Sequence, residues 1–103
     1  MSKKAQLFYA LVRQIPKGKV TTYGILARQM SMKGARAIGN WLHSNPDAPA
    51  TPCHRVVDRN GNLAKHFGSP GGIKTQAKRL SSEGVIVIKN HVDLSRYLWT
   101  PVK

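Results

Sequence analysis

Proline and glycine punctuation constrains this chain more than any other feature. Pro16-Lys17-Gly18, the run from Asn45-Pro46 through Pro52, Ser69-Pro70-Gly71-Gly72 and Gly84 interrupt each stretch before it grows long. Proline has no amide proton to donate and drives the residue before it out of helical geometry, whereas glycine takes up left-handed turns. What remains between the breaks is a series of short pieces, and 103 residues make one small domain of them rather than two.

Each piece carries its own pattern. Leu7, Phe8, Leu11, Val12 and Ile15 recur at helical spacing, which predicts a helix over Ala5 to Ile15 that Pro16 to Lys19 stops. Thr21 or Thr22 can cap a second helix carrying Tyr23, Leu26, Ala27 and Met30. Ser31 can cap a third, with Ala35, Ile38 and Leu42 inward, Trp41 alongside, and an end at Asn45-Pro46. Helices two and three, with a turn between them, are compatible with a helix-turn-helix. Asp47 to Pro52 must be a loop. Val56-Val57 and Asn62-Leu63, around Asp58-Arg59-Asn60-Gly61, predict two short strands and a turn. A helix from about Ile73 to Glu83 stops at Gly84, a left-handed cap, and Val85 to Ile88 reads as a strand. The expected fold is helix-rich α+β: residues 1–103 as a single domain with a helix-turn-helix unit and short β-hairpins.

Charge narrows the partners. Lys and Arg number 17 against 4 Asp plus Glu, a net charge of +13, and such a surface attracts polyanions, nucleic acid above all. A generally basic, soluble protein would share that composition. Helix three is the better candidate for contact: Gly34, Ala35, Ala37 and Gly39 keep it lean, while Arg36, Asn40 and His43 line one polar face. Lys17, Lys19 and Lys33 add to the basic surface. Small residues also occur where two helices pack tightly, so the pattern by itself admits both readings. No apolar run approaches the roughly 18 residues a membrane span needs, and the expectation is a soluble, intracellular chain. The lone Cys53 excludes a disulfide framework and a multi-thiolate zinc site, and the scattered histidines lack metal-ligand spacing.

Pro52-Cys53-His54-Arg55-Val56 is the second constellation. A cysteine beside a histidine after a constrained loop is a candidate nucleophile, since imidazole and positive charge favour thiolate. Glu83, the chain's single glutamate, could orient His54 in a relay. A buried Cys next to a His is more often structural, and neighbours on an extended segment point to opposite sides. Neither an oxyanion-hole motif nor a substrate cleft of a cysteine protease is recognisable.

Taken together, Ile15-Pro16-Lys17-Gly18-Lys19-Val20-Thr21-Thr22-Tyr23-Gly24, Ala35-Arg36-Ala37-Ile38-Gly39, Asn45-Pro46 and Pro52-Cys53-His54-Arg55-Val56-Val57 resemble the DNA-binding, active-site domain of the 6-O-alkylguanine-DNA alkyltransferases. The likeness continues through Gly61, Gly71-Gly72 and Glu83-Gly84. It implies a recognition helix in the minor groove, which gives the lean face of helix three (with Thr21 and Thr22 at the preceding helix) a reason. It implies that Arg36 intercalates where the damaged guanine leaves the stack and that Tyr23 helps rotate the nucleotide outward. Asn45 would brace the active-site loop, Pro52 would line the base pocket, and the carbonyls of Cys53 and Val56 would read the guanine edge. The implied chemistry is alkyl transfer from guanine oxygen to the Cys53 sulfur. His54 would deprotonate Cys53 through a water, Glu83 would hold the imidazole, and Tyr23 would donate a proton to the leaving purine. With no second Cys to resolve the thioether, each molecule would react once, without cofactor or metal.

The chain also departs from the family's pattern. The separate N-terminal domain of many members is not expected here, Thr51 stands where an aliphatic residue is usual, and His66-Phe67 replaces a Tyr-Ser pair at the pocket lip. The ending Tyr97-Leu98-Trp99-Thr100-Pro101 is similar to the alkyltransferase-like proteins, which flip alkylguanine without a reactive Cys and hand it to excision repair. Two functions follow from the resemblance: a suicidal alkyltransferase, or a lesion-binding protein with excision-repair partners. A sequence-independent DNA binder is the third reading. The expected partner is double-stranded DNA containing alkylated guanine, met by a monomer in a prokaryotic cytoplasm or a eukaryotic nucleus.

Overall fold

The computed structural model describes residues 3–32, 36–44, 50–63 and 72–101. Helix α1, Lys3–Val12, opens the chain. Its buried stripe is Ala5, Phe8, Tyr9, Leu11 and Val12, followed by Ile15 one turn beyond. Leu7, expected inside, is 57% exposed. Tyr9 takes the inward place because its hydroxyl finds a partner there, donating to the Trp41 carbonyl at 2.7 Å, while Phe8 stacks against Trp41 with centroids 5.2 Å apart. The helix ends in tightened turns, Gln14 N–H to Leu11 O and Ile15 N–H to Val12 O, before Pro16.

Thr21–Thr22 form strand β1 and lead directly into α2, Tyr23–Gln29. Thr22 is the cap, its hydroxyl accepting the Ile25 amide at 3.2 Å. Ser31 does not cap α3 as expected. It sits at φ 57 in the turn that closes α2, where Met32 N–H reaches back to Ala27 O at 2.8 Å. Helix α3, Arg36–His43, follows and buries Ile38. Helices α2 and α3 come in the order that the expected helix-turn-helix requires.

A 3-10 turn at Cys53–Arg55 runs into β2, Val56–Val57. The expected hairpin between Val56-Val57 and Asn62-Leu63 does not form. Strand β2 pairs in parallel with β1, Thr21 opposite Val56 and Thr22 opposite Val57, and Asn62 bridges instead to His91. The turn between them is as read. Asp58 Oδ1 accepts the amides of Asn60 and Asn62, and Gly61 stands at φ +89, where a Cβ would run into the Val92 carbonyl oxygen.

Helix α4 spans Ile73–Ser82, with Glu83 as its C-cap. Gly84 at φ +89 closes it, as Val85 N–H bonds Leu80 O at 3.1 Å. A true hairpin comes next, β3 Val87–Ile88 against β4 His91–Val92, then the short α5, Leu94–Tyr97, capped by Asp93.

Two cores meet at β2. Successive strand residues face opposite ways, so Val56 joins the core of α1, α2 and α3. Val57 joins Val20, Leu63, Leu80, Val85, Val92 and Tyr97. The strand that follows the Cys53 turn is thus held from both sides.

Candidate active site and nucleic-acid face

The Cys53 turn is positioned by short backbone bonds: Cys53 N–H to Thr51 O at 2.8 Å and Arg55 N–H to Pro52 O at 2.9 Å. Cys53 O in turn accepts the Val56 amide. Pro52, Cys53 and His54 are all buried, Cys53 at 5% exposure and His54 at 2%. Thr51 is buried too, and its hydroxyl accepts from Arg13 Nε at 3.0 Å, which gives a polar group at this position a partner across α1.

Glu83 converges on the turn from the end of α4. His54 Nε2 lies 3.0 Å from Glu83 Oε2. Arg55 grips the same carboxylate twice, Nε to Oε1 at 2.9 Å and Nη2 to Oε2 at 2.6 Å, and its remaining nitrogen donates to Ile15 O at 2.7 Å. Burial pushes the Glu83 pKa up, but the hydrogen bonds and charges of Arg55 and His54 outweigh it and hold the carboxyl below 4.5. Burial lowers His54 below 6.5; the Glu83 bond and charge oppose this, and the charges of Arg55 and Arg79 reinforce it. The imidazole is therefore neutral at pH 7. A carboxylate can only accept, so the ring proton sits on Nε2 and the lone pair on Nδ1. Nδ1 is buried without a hydrogen-bond partner among the described residues. The residue that follows Cys53 thus carries an unused base.

Arg55 and Gln76 are the residues sequence reading missed. Arg55 was legible only as part of the Cys53 motif; nothing in spacing tied it to Glu83. Gln76 had a signal, a polar side chain on the apolar face of α4 between Ile73 and Leu80. It is completely buried, and its Nε2 donates to His54 O at 3.2 Å and Val56 O at 3.0 Å.

Tyr23 is half-buried at the first position of α2, next to the β1–β2 pair. Burial, with the charges of Asp58 and Cys53, pushes its pKa above 10.0, so the phenol keeps its proton. Thr21 and Thr22, expected at the nucleic-acid face, stand in β1 immediately before α2. Both side chains are buried in β1, and the Thr22 hydroxyl is committed to its cap.

On α3, Arg36, Asn40 and His43 are exposed, while Ala37 and Gly39 are half-buried. A Cβ built on Gly39 meets nothing within 4 Å among the described residues, so packing against them does not require a glycine there. Gly34, Ala35, Lys33, Asn45, His66 and Phe67 lie outside the described residues. Among those described, no group of His, Cys, Asp or Glu could hold a metal ion, and no helix is long and apolar enough to cross a membrane.

A family model for the DNA-binding domain of 6-O-methylguanine DNA methyltransferase matches residues 4–85. The chain belongs to this alkyltransferase family. It is 40% identical over 90 residues to the bifunctional methyltransferase/endonuclease of Picrophilus torridus, covering 86% of this chain but 29% of that protein. It is 38% identical over 96 residues to the DNA base-flipping protein of Escherichia coli, covering 91% and 72%. Among solved structures, S. pombe Atl1 in complex with damaged DNA containing O6-carboxymethylguanine matches at a TM-score of 0.86 and 33% identity, over 98% of both chains. Family members so similar to this chain thus carry both enzymatic and base-flipping names.

Proposed function

We propose that this chain binds duplex DNA in the minor groove through α3, flips a 6-O-alkylguanine to the Cys53 turn, and accepts its alkyl group on sulfur. The observation that carries the reading is the neutral His54, its proton donated to Glu83 and its Nδ1 lone pair unused, immediately after Cys53. His54 takes the thiol proton through a water. The thiolate attacks the alkyl carbon, an S–C bond forms, and the O–C bond breaks with its electron pair passing to the purine. Tyr23, protonated at neutral pH, returns a proton to that purine. The thioether is final, so each chain reacts once and no cofactor enters.

Groove contact rests on α3. Glycine in a helix interior costs up to about 1 kcal/mol against alanine, and at Gly39 no neighbour among the described residues accounts for it. A close external surface does. Arg36 stands on the exposed side of the same helix and fills the gap left by the flipped base, with Asn40 on the adjoining surface. Flipping costs a few kcal/mol, least where alkylation has weakened pairing.

A second reading has an observation of its own: the match to Atl1 spans 98% of both chains, whereas the chain spans 29% of the bifunctional methyltransferase/endonuclease. In that reading Cys53 only lines the pocket, and excision-repair proteins take over the lesion. Competition binding tests what both share: a 6-O-methylguanine duplex should compete about tenfold or more better than intact duplex, and equal competition would leave only a general DNA binder. Alkyl transfer separates them, since a methyl group found on wild-type protein and absent from Cys53→Ala selects the enzyme.

A further inference from the structure

Helix α4 meets the Cys53 turn at two levels. Glu83, its cap, holds the imidazole of His54. Gln76, seven residues earlier and so on the same side of the helix, holds the main chain of the turn. Its carboxamide nitrogen has two protons, and both find carbonyls: His54 O and Val56 O, the two that flank Arg55. A fully buried amide aimed at two carbonyls is costly to leave unpaired on either side, so the arrangement fixes peptide planes as well as filling space.

We propose that Gln76 is a positioning residue of this site, fixing the Val56 carbonyl for the guanine edge and seating His54 beside Cys53. The proposal rests on the reading that a flipped guanine occupies the Cys53 turn. A carbonyl oxygen has two lone pairs. Gln76 takes one at Val56 O and leaves at most one for the base, in a direction set by α4. The 3-10 bond from the Val56 amide does the same at Cys53 O. Both carbonyls that would read the guanine are therefore oriented before DNA arrives, and preorganised groups lose little on binding.

Gln76→Met keeps length and apolar bulk but removes both donors. Leu80→Val, on the same helix and in a fully buried position, serves as a control that lowers stability while leaving both Gln76 donors in place. For each chain the affinities for intact and 6-O-methylguanine duplex are measured, with the methyl-transfer rate at saturating DNA and the melting temperature. Gln76→Met should lose about tenfold, the scale of one buried hydrogen bond, in its preference for the lesion, while intact-duplex affinity stays within about twofold. Leu80→Val should keep the wild-type preference despite its lower melting temperature. The proposal is overturned if Gln76→Met discriminates as wild type does, or if Leu80→Val loses discrimination equally. Wild-type protein that ignores the lesion overturns the functional reading and the role built on it together, a different result from discrimination that survives Gln76→Met. Should Gln76→Met not fold, Gln76→Asn, which withdraws the donors by one methylene, carries the same comparison.

Discussion

His54 is the residue on which the proposed chemistry turns, and its environment fixes a sign that can be measured. Burial lowers its pKa in the folded chain below the ordinary 6.5, so as pH falls the unfolded chain takes up the proton first. Its contribution to stability is complete above about 6.5 and drains away as pH drops through that value towards the folded pKa. Glu83 is held ionised, so its contribution is present above 4.5 and is lost only as pH falls through its lowered folded value. Urea denaturation between neutral pH and about 5 should show a declining stability that His54→Gln flattens; an unchanged slope in the variant would contradict the assignment. The alkyl-transfer rate should likewise hold steady through 6.5 and fall only below it. At Arg36 the prediction concerns selectivity. Arg36→Ala should weaken binding to lesion duplex more than to intact duplex, since only the former leaves a gap to fill. Equal losses in a titration of both would make Arg36 an ordinary phosphate contact. Glu83 beside His54 was readable from sequence, because one glutamate stood in a chain with one cysteine-histidine pair. The bidentate hold of Arg55 on that carboxylate was not, because the two residues stand 28 positions apart in the chain.

At the scale of elements, α3 is where stability and function pull apart. Gly39→Ala adds a methyl group into open space at ordinary helical angles, so the helix should gain about 0.5–1 kcal/mol. With α3 in a groove as proposed, the same methyl group would stand between the helix and the groove floor, so duplex affinity should fall by about tenfold. Thermal melting and a binding titration on one protein check both halves, and a variant that melts higher yet binds as well would count against groove contact by this helix. Which elements were legible follows from what defines them. Helix α4 and its Gly84 cap, and the Thr22 cap of α2, are local patterns and are where the sequence puts them. Strand β2 is not local: two valines next to a turn look like half a hairpin, and only the parallel partner Thr21-Thr22 tells otherwise. The hairpin that does form turns at Lys89-Asn90, both at positive φ, without the glycine that normally announces such a turn. Ser31 misled for a related reason: a side chain able to cap a helix is also tolerated in the left-handed turn that ends one.

For the whole molecule, a net charge of +13 on 103 residues is the dominant fact. Binding that rests on phosphate contacts releases counterions, so raising salt from about 50 to 200 mM should weaken duplex binding by orders of magnitude. Affinity insensitive to salt would remove electrostatics from the account. Charge does not explain the proposed chemistry, however; what the fold adds is two cores closed on either face of β2, the strand that follows the Cys53 turn. The central claim is that this turn takes an alkyl group and keeps it. Intact-protein mass spectrometry tests it most directly, with increasing 6-O-methylguanine duplex added to a fixed amount of protein. Wild-type protein should gain the mass of one methylene, once per chain and no further, and Cys53→Ala should gain none. A wild-type mass that never changes, in protein that still binds the lesion tightly, would contradict alkyl transfer and leave a base-flipping sensor.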